Sequence, residues 1–224
     1  MNELQKIVID KIKKTKMIAI LRALPEDKII PTVKAIIDGG CDLVEVTFDH
    51  TSTEALAKTP KMIKMIKEYF GDEVEVGAGT VLDCNDVCAA KNAGATFLIS
   101  PNADEAVIKT TKKLGLVSLP GAYTPSEICN AYNWGADFVK VFPIVGNPAE
   151  YIKAVKAPLK HIPMLAVGGV NLENAATVFK AGACGIGIGS GLVKADEVNK
   201  FETEADFAVI TERTKKYMDI IASL

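Results

Sequence analysis

The chain has 224 residues, 49% apolar and 24% charged, with a formal net charge of −2. That is an ordinary composition for a folded globular protein, and the length suits one (β/α)8 barrel or one doubly wound domain, expected to span residues 1–224 as a single unit. Balanced charge without a block of like-charged residues argues against a sequence-independent grip on nucleic acid, and no apolar run approaches the roughly 18 residues of a membrane span.

The charged N-terminus lacks the apolar centre of a signal peptide and predicts a cytoplasmic chain. Only His50 and His161 are present, so a multi-histidine metal centre is excluded. Cys41, Cys84, Cys88, Cys129 and Cys184 form no CxxC pair and are expected to be buried thiols, neither metal ligands nor disulfides.

In chain order, Leu4, Ile7, Val8 and Ile12 mark one face of a short helix, predicted to pack over the bottom of a barrel. Met17–Leu21 reads MIAIL, and a helical stretch over Asp27–Asp38 stops at Gly39–Gly40. Further apolar runs follow at Leu43–Phe48, Val74–Ala78, Thr96–Ser100, Leu116–Leu119, Asp137–Phe142, Met164–Val167 and Cys184–Gly189. Eight strand candidates separated by helical patterns imply parallel strands joined by right-handed crossovers. A (β/α)8 barrel is the predicted fold; an open doubly wound sheet shares the local pattern. Gly40-Cys41, Gly94-Ala95, Gly135-Ala136 and Gly182-Ala183 mark the turns from helix into strand. Thr124-Pro125-Ser126-Glu127 has the spacing of a capping box, and Thr51 with Glu54 and Thr203 with Asp206 are similar.

Strands buried on both faces should be nearly all apolar, yet two carry a lone charge near the C-terminal end, where barrel active sites lie. Glu45 is on the second predicted strand and Lys140 on the sixth, so both can face one interior layer. A desolvated lysine loses part of its preference for the charged form and becomes a nucleophile able to form an imine with a ketone. Glu45 is suited to move the protons. No external cofactor is needed, because the covalent imine on lysine is itself the electron sink. Gly168-Gly169 and Gly189-Ser190-Gly191 follow the last two strands, where converging backbone N–H groups suit a phosphate or carboxylate. Arg22, after the first strand, offers a positive charge to that anion, the alternative being a salt bridge on the rim.

Several stretches then occur together and in order: Ala19-Ile20-Leu21-Arg22, Glu45-Val46-Thr47, Gly77-Ala78-Gly79-Thr80-Val81, Ile99-Ser100-Pro101, Pro120-Gly121, Thr124-Pro125-Ser126-Glu127, Val139-Lys140-Val141-Phe142-Pro143 and Gly168-Gly169-Val170-Asn171. As a set they resemble the 2-keto-3-deoxy-6-phosphogluconate / 4-hydroxy-2-oxoglutarate aldolases, over about Met17 to Val193. The resemblance implies a class I aldolase that releases pyruvate from a 2-keto-3-deoxy-6-phospho sugar acid or from 4-hydroxy-2-oxoglutarate. Lys140 would carry the Schiff base and Glu45 would transfer protons. Thr80 and Pro101 would line the pyruvate site, Phe142 would pack near the imine, and Gly169 and Ser190 would meet the far end of the substrate. It also implies a homotrimer.

Two positions depart from the family pattern. Asp49, followed by His50, stands where many members have an arginine for the pyruvate carboxylate, although related aldolases for the galactonate sugar also lack it. Asp49 either faces the substrate or caps the helix beginning near Thr51. Val167 stands where members often have a threonine. Two other readings compete: a phosphate-binding barrel isomerase or synthase like those of tryptophan or thiamine biosynthesis, and a non-catalytic sugar-phosphate binder.

Overall fold

The apolar runs become short strands because each is buried on both faces, and the segments between them turn one apolar stripe toward those strands. The computed structural model describes residues 1–224. In chain order the elements are α1 (Glu3–Thr15), β1 (Met17–Leu21), α2 (Glu26–Asp38), β2 (Leu43–Thr47), α3 (Thr53–Phe70), β3 (Glu75–Gly79), α4 (Cys84–Asn92), β4 (Phe97–Ile99) and α5 (Glu105–Lys113). Then come β5 (Val117–Leu119), β6 (Gly121–Ala122), α6 (Pro125–Asn133), β7 (Val139–Val141), α7 (Pro148–Lys156), β8 (Met164–Val167), α8 (Ala175–Lys180), β9 (Gly185–Ile188), α9 (Ala195–Val198), a 3-10 turn at Glu204–Phe207, and α10 (Ala208–Ala222).

The strands form one parallel sheet in the order β5-β4-β3-β2-β1-β9-β8-β7-β6, with β1 bonded to both β2 and β9. The order runs round a ring without reversal, which excludes the open doubly wound sheet. Nine strands replace the expected eight because Pro120 divides the fifth, having no N–H to give to the ladder. Val117–Leu119 pairs with β4, and Gly121–Ala122 pairs with β7. The Lys140 N–H donates to the Pro120 carbonyl at 2.9 Å, so the ring closes beside the proline. No helix is long and apolar enough to cross a membrane.

The N-terminal helix does cover the bottom of the barrel, with Val8 and Ile12 inward as expected but the helix rotated so that Leu4 and Ile7 are not. Gln5, Val8, Ile12 and Thr15 are buried, whereas Leu4 and Ile7 are 38% and 53% exposed. Two polar bonds set that rotation: Gln5 Nε2 donates to the Leu116 carbonyl at 2.9 Å, and Thr15 Oγ1 donates to Asp42 Oδ1 at 2.6 Å. Both partners immediately precede strands, at the N-terminal end of the barrel.

The helix-to-strand turns are as expected, with Gly40, Gly94, Gly135 and Gly182 at φ of 95, 98, 106 and 108°. The Thr124–Glu127 and Thr203–Asp206 capping boxes both form. Thr51 does not cap α3; the Ser52 hydroxyl does, accepting the Ala55 N–H at 3.1 Å. Asp137 lies before β7 because its carboxylate is taken by the Lys112 ammonium, at 2.5 and 2.6 Å, and by the Ser118 N–H. Of the five cysteines only Cys41 is buried; Cys88 is exposed and the other three are half-buried, since they sit on helix flanks and at a strand start.

In the core, Phe97 of β4 lies against Gly77, its ladder partner in β3. A Cβ on Gly77 would stand 2.3, 2.4 and 2.6 Å from three atoms of that fully buried ring. Gly77→Ala should therefore destabilise the chain by about 1–3 kcal/mol through overpacking, lowering its melting temperature by several degrees. An unchanged melting curve would contradict this packing.

Candidate functional site

Glu45 occupies the centre of β2 and Lys140 the centre of β7, which is the sixth staves of the ring once the divided strand is counted as one. They are 1% and 6% exposed, far drier than charged side chains normally are. Glu45 is opposite Gly77 in the ladder, but its carboxyl leans toward the C-terminal end and lies over Gly79. A Cβ at Gly79 would stand 1.6 Å from Glu45 Oε1, so only glycine leaves the carboxyl its place. Glu45 Oε2 has no hydrogen-bond partner within the protein. An unsatisfied buried carboxyl oxygen is costly, and keeping one marks a group left free for a ligand.

Burial dominates the electrostatics of the pair. It pushes the Glu45 carboxyl above its ordinary range, against the opposing pull of Lys140 and Arg22. It pushes the Lys140 ammonium below its ordinary range; Glu45 raises it and Arg22 lowers it further. Both shifts favour the uncharged forms, a carboxylic acid and a free amine, which are a proton donor and a nucleophile. Lys140 Nζ lies 4.5 Å from the centroid of the Phe142 ring, which closes over it.

Above this dry pair opens a cavity of about 950 Å³. Arg22, Phe142, Gly168, Gly169, Gly189 and Ser190 all line it, as the anion-site reading expects. Gly168 and Gly169 have φ of 84 and 67°, the left-handed region open to glycine, and a Cβ on Gly169 would stand 2.4 Å from the Ile144 carbonyl oxygen. The N–H groups of Gly168, Gly169 and Ser190 donate to no acceptor in the protein. Arg22 makes no ion pair within the chain, so the rim salt bridge is not its role, and it is exposed at the cavity wall. Val167 also lines the cavity, presenting methyl groups where a hydroxyl would otherwise stand.

Lys140, Glu45, Thr80 and Pro101 are not in the wall of that cavity. Pro101 is packed against Gly121, the ladder partner of Lys140: a Cβ on Gly121 would stand 2.3 Å from the Pro101 carbonyl oxygen. Thr80 follows Gly79, whose Cβ position the Glu45 carboxyl occupies, and it is half-buried. Its φ of 55° is left-handed, an outlier for a β-branched residue that costs about 1–3 kcal/mol and persists only where the surroundings enforce it.

Asp49 neither caps α3 nor reaches toward the pair. Its Oδ1 accepts the Thr51 N–H at 2.9 Å, and hydrogen bonding from the Thr51 side chain, with that backbone bond second, holds its exposed carboxyl below the usual carboxylate range. Lys194 and Lys200 line the cavity beyond Ser190 and escape a sequence reading, because α9 between them has only four residues and shows no helical period. Their position downstream of the Gly189-Ser190-Gly191 turn is the one available signal.

With this geometry described, the likeness to known proteins can be stated. The model of the KDPG and KHG aldolase family matches residues 8–211. The 2-dehydro-3-deoxy-6-phosphogalactonate aldolase of Escherichia coli (strain K12) is 37% identical over 185 residues, covering 82% of this chain and 87% of its own length. The 2-dehydro-3-deoxy-phosphogluconate aldolase of Treponema pallidum (strain Nichols) is 30% identical over 223 residues, covering 92% and 99%. A solved structure described as "Native KDPGal structure" superposes with a TM-score of 0.80 at 32% identity, over 92% of this chain and 94% of that one. The chain belongs to the KDPG and KHG aldolase family of carbon–carbon lyases.

Proposed function

We propose that the chain cleaves a 2-keto-3-deoxy-6-phospho sugar acid to pyruvate and a three-carbon aldehyde phosphate through an imine on Lys140. The observation that carries this reading is the buried Glu45 carboxyl, with one oxygen unbonded, sharing the barrel interior with a buried Lys140 amine. The free amine adds to the substrate's C2 ketone, and loss of water leaves an iminium. Glu45 gives the proton that water needs to leave, and its carboxylate then takes the proton of the C4 hydroxyl. The C3–C4 bond breaks, the aldehyde departs, and the bonding electrons move into the iminium to form an enamine. Protonation at C3 and hydrolysis release pyruvate and restore both side chains. No cofactor beyond the lysine takes part.

Thr80 and Pro101 lie around the keto-acid end, and Phe142 packs against the imine. The glycine N–H groups, Ser190 and Arg22 take the phosphate. The preferred sugar is the galactonate isomer, supported by the 37% identical relative named for it, by Asp49 in place of a carboxylate-binding arginine, and by Val167. Family likeness supports a cytoplasmic homotrimer. An isomerase or synthase has no use for this acid–amine pair, and a non-catalytic binder no use for leaving it unsatisfied.

Lys140→Arg should fold and lose cleavage altogether, because arginine keeps the charge but cannot deprotonate to attack a ketone. Turnover should be highest with 2-keto-3-deoxy-6-phosphogalactonate, lower with the gluconate isomer and lowest with 4-hydroxy-2-oxoglutarate. Arg22→Ala should raise KM for the phosphorylated substrates more than for the unphosphorylated one. Turnover by a well-folded Lys140→Arg enzyme would remove the Schiff-base reading.

The pH profile tests the electrostatics separately. Imine formation needs neutral Lys140, so its rate should rise through a midpoint below the ordinary lysine value of about 10.4. Glu45 raises the Lys140 pKa, so Glu45→Gln should shift that midpoint to still lower pH while turnover falls by about 10²–10⁴-fold. A midpoint that stays put or moves up would contradict the coupling of the two groups.

A further inference from the structure

The turn after β2 places His50 in a position that the aldolase reading leaves unused. His50 Nε2 lies 2.9 Å from the Thr80 carbonyl oxygen and must donate, since a carbonyl only accepts. The same nitrogen is 3.5 Å from Asp86 Oδ2. Asp86 belongs to α4, its side chain is only 4% exposed, and it also accepts the Leu82 N–H at 2.8 Å and the Asp83 N–H at 3.4 Å. On the same segment the Val81 N–H donates to the Ile99 carbonyl at 3.2 Å. Every residue from Thr80 to Asp83 is therefore gripped by a group outside its own peptide unit, and His50 is the grip on Thr80.

Thr80 is the residue that needs it, being β-branched with a φ of 55°. Its hydroxyl makes no hydrogen bond within the protein, so the conformation serves no internal bond of that side chain. Asp49 has its part as well. Its bond to the Thr51 N–H folds the turn with His50 at the middle, directed at Thr80 and Asp86.

We propose that His50 and Asp86 are positioning residues that hold Thr80 in its left-handed conformation and so present its free hydroxyl to the carboxylate of the keto acid. This rests on the reading that Thr80 lines the keto-acid end of the site. Neither residue touches the reacting atoms. Without the clamp, Thr80 relaxes to an ordinary backbone conformation and its hydroxyl swings away, so pyruvate binding weakens while the chemistry at Lys140 continues.

The test measures borohydride-trapped adduct formation on the whole enzyme across pyruvate concentration, reading the half-saturating concentration separately from the limiting rate. His50→Ala should raise the half-saturating concentration about tenfold, the loss of one hydrogen bond to a charged group, with the limiting rate nearly unchanged. His50→Gln places an amide nitrogen near the Nε2 position and should restore most of the binding, whereas the shorter His50→Asn should not. Thr80→Ala should weaken pyruvate binding by a similar factor, and adding His50→Ala to it should change little further. If Thr80→Ala weakens binding and His50→Ala does not, the clamp is wrong and the reading of Thr80 stands. If Thr80→Ala leaves binding unchanged, or the parent enzyme forms no adduct, the reading fails and the clamp falls with it. A His50→Ala defect confined to melting temperature or limiting rate, with no rescue by glutamine, also overturns the proposal.

Discussion

Glu45 and Lys140 sit inside a ring of apolar strands where water cannot solvate a charge, and the rest of the structure is arranged around that desolvation. Its thermodynamic sign is unfavourable on both sides. The raised Glu45 carboxyl supports the folded state at low pH, and that support is lost as pH rises through the raised value. The depressed Lys140 pKa favours the folded state above the ordinary lysine range, and that contribution is lost as pH falls toward the depressed value. Each shift thus favours folding only toward its own end of the pH range, and the closed apolar core carries the desolvation of the pair. What the arrangement provides is an amine that gives up its proton more readily, and a carboxyl that holds its proton more tightly, than the same groups in water.

Space is the second requirement. Gly77 admits the Phe97 ring and Gly79 admits the Glu45 carboxyl, so two glycines two residues apart on one strand form part of the floor of the site. Pro120 is a third accommodation. By ending one ladder and accepting the Lys140 N–H into the next, it passes the fifth strand from β4 to β7. Phe142 separates the dry pair from the open cavity, touching Lys140 on one side and lining the anion end on the other. A substrate with a ketone at one end and an anion at the other fits that division, one end dry and one wet.

The parts legible in the sequence were those in which a residue breaks a strong local rule. A carboxylate and an ammonium inside apolar runs mark Glu45 and Lys140, and glycine pairs after the last two strands mark the anion cavity. Helix-closing glycines and the Thr124–Glu127 box are equally local and appear where expected. What could not be read depends on contacts between distant segments. The rotation of α1 follows from Gln5 reaching Leu116 and Thr15 reaching Asp42, 111 and 27 residues away, and no apolar stripe encodes either. The cap of α3 passes from Thr51 to Ser52 because Asp49 engages the Thr51 N–H. His50 and Asp86 are ordinary surface types in sequence, and only the adjacency of β2 and β3 brings the turn after β2 against the start of α4.

The central claim is that Lys140 is the nucleophile, and one chemical measurement addresses it directly. Pyruvate and borohydride should convert the enzyme to a stable adduct, and mass spectrometry of its peptides should place the added mass on Lys140 alone, none of it appearing in Lys140→Arg. An adduct on another lysine, or one that survives the Lys140→Arg substitution, would contradict the account.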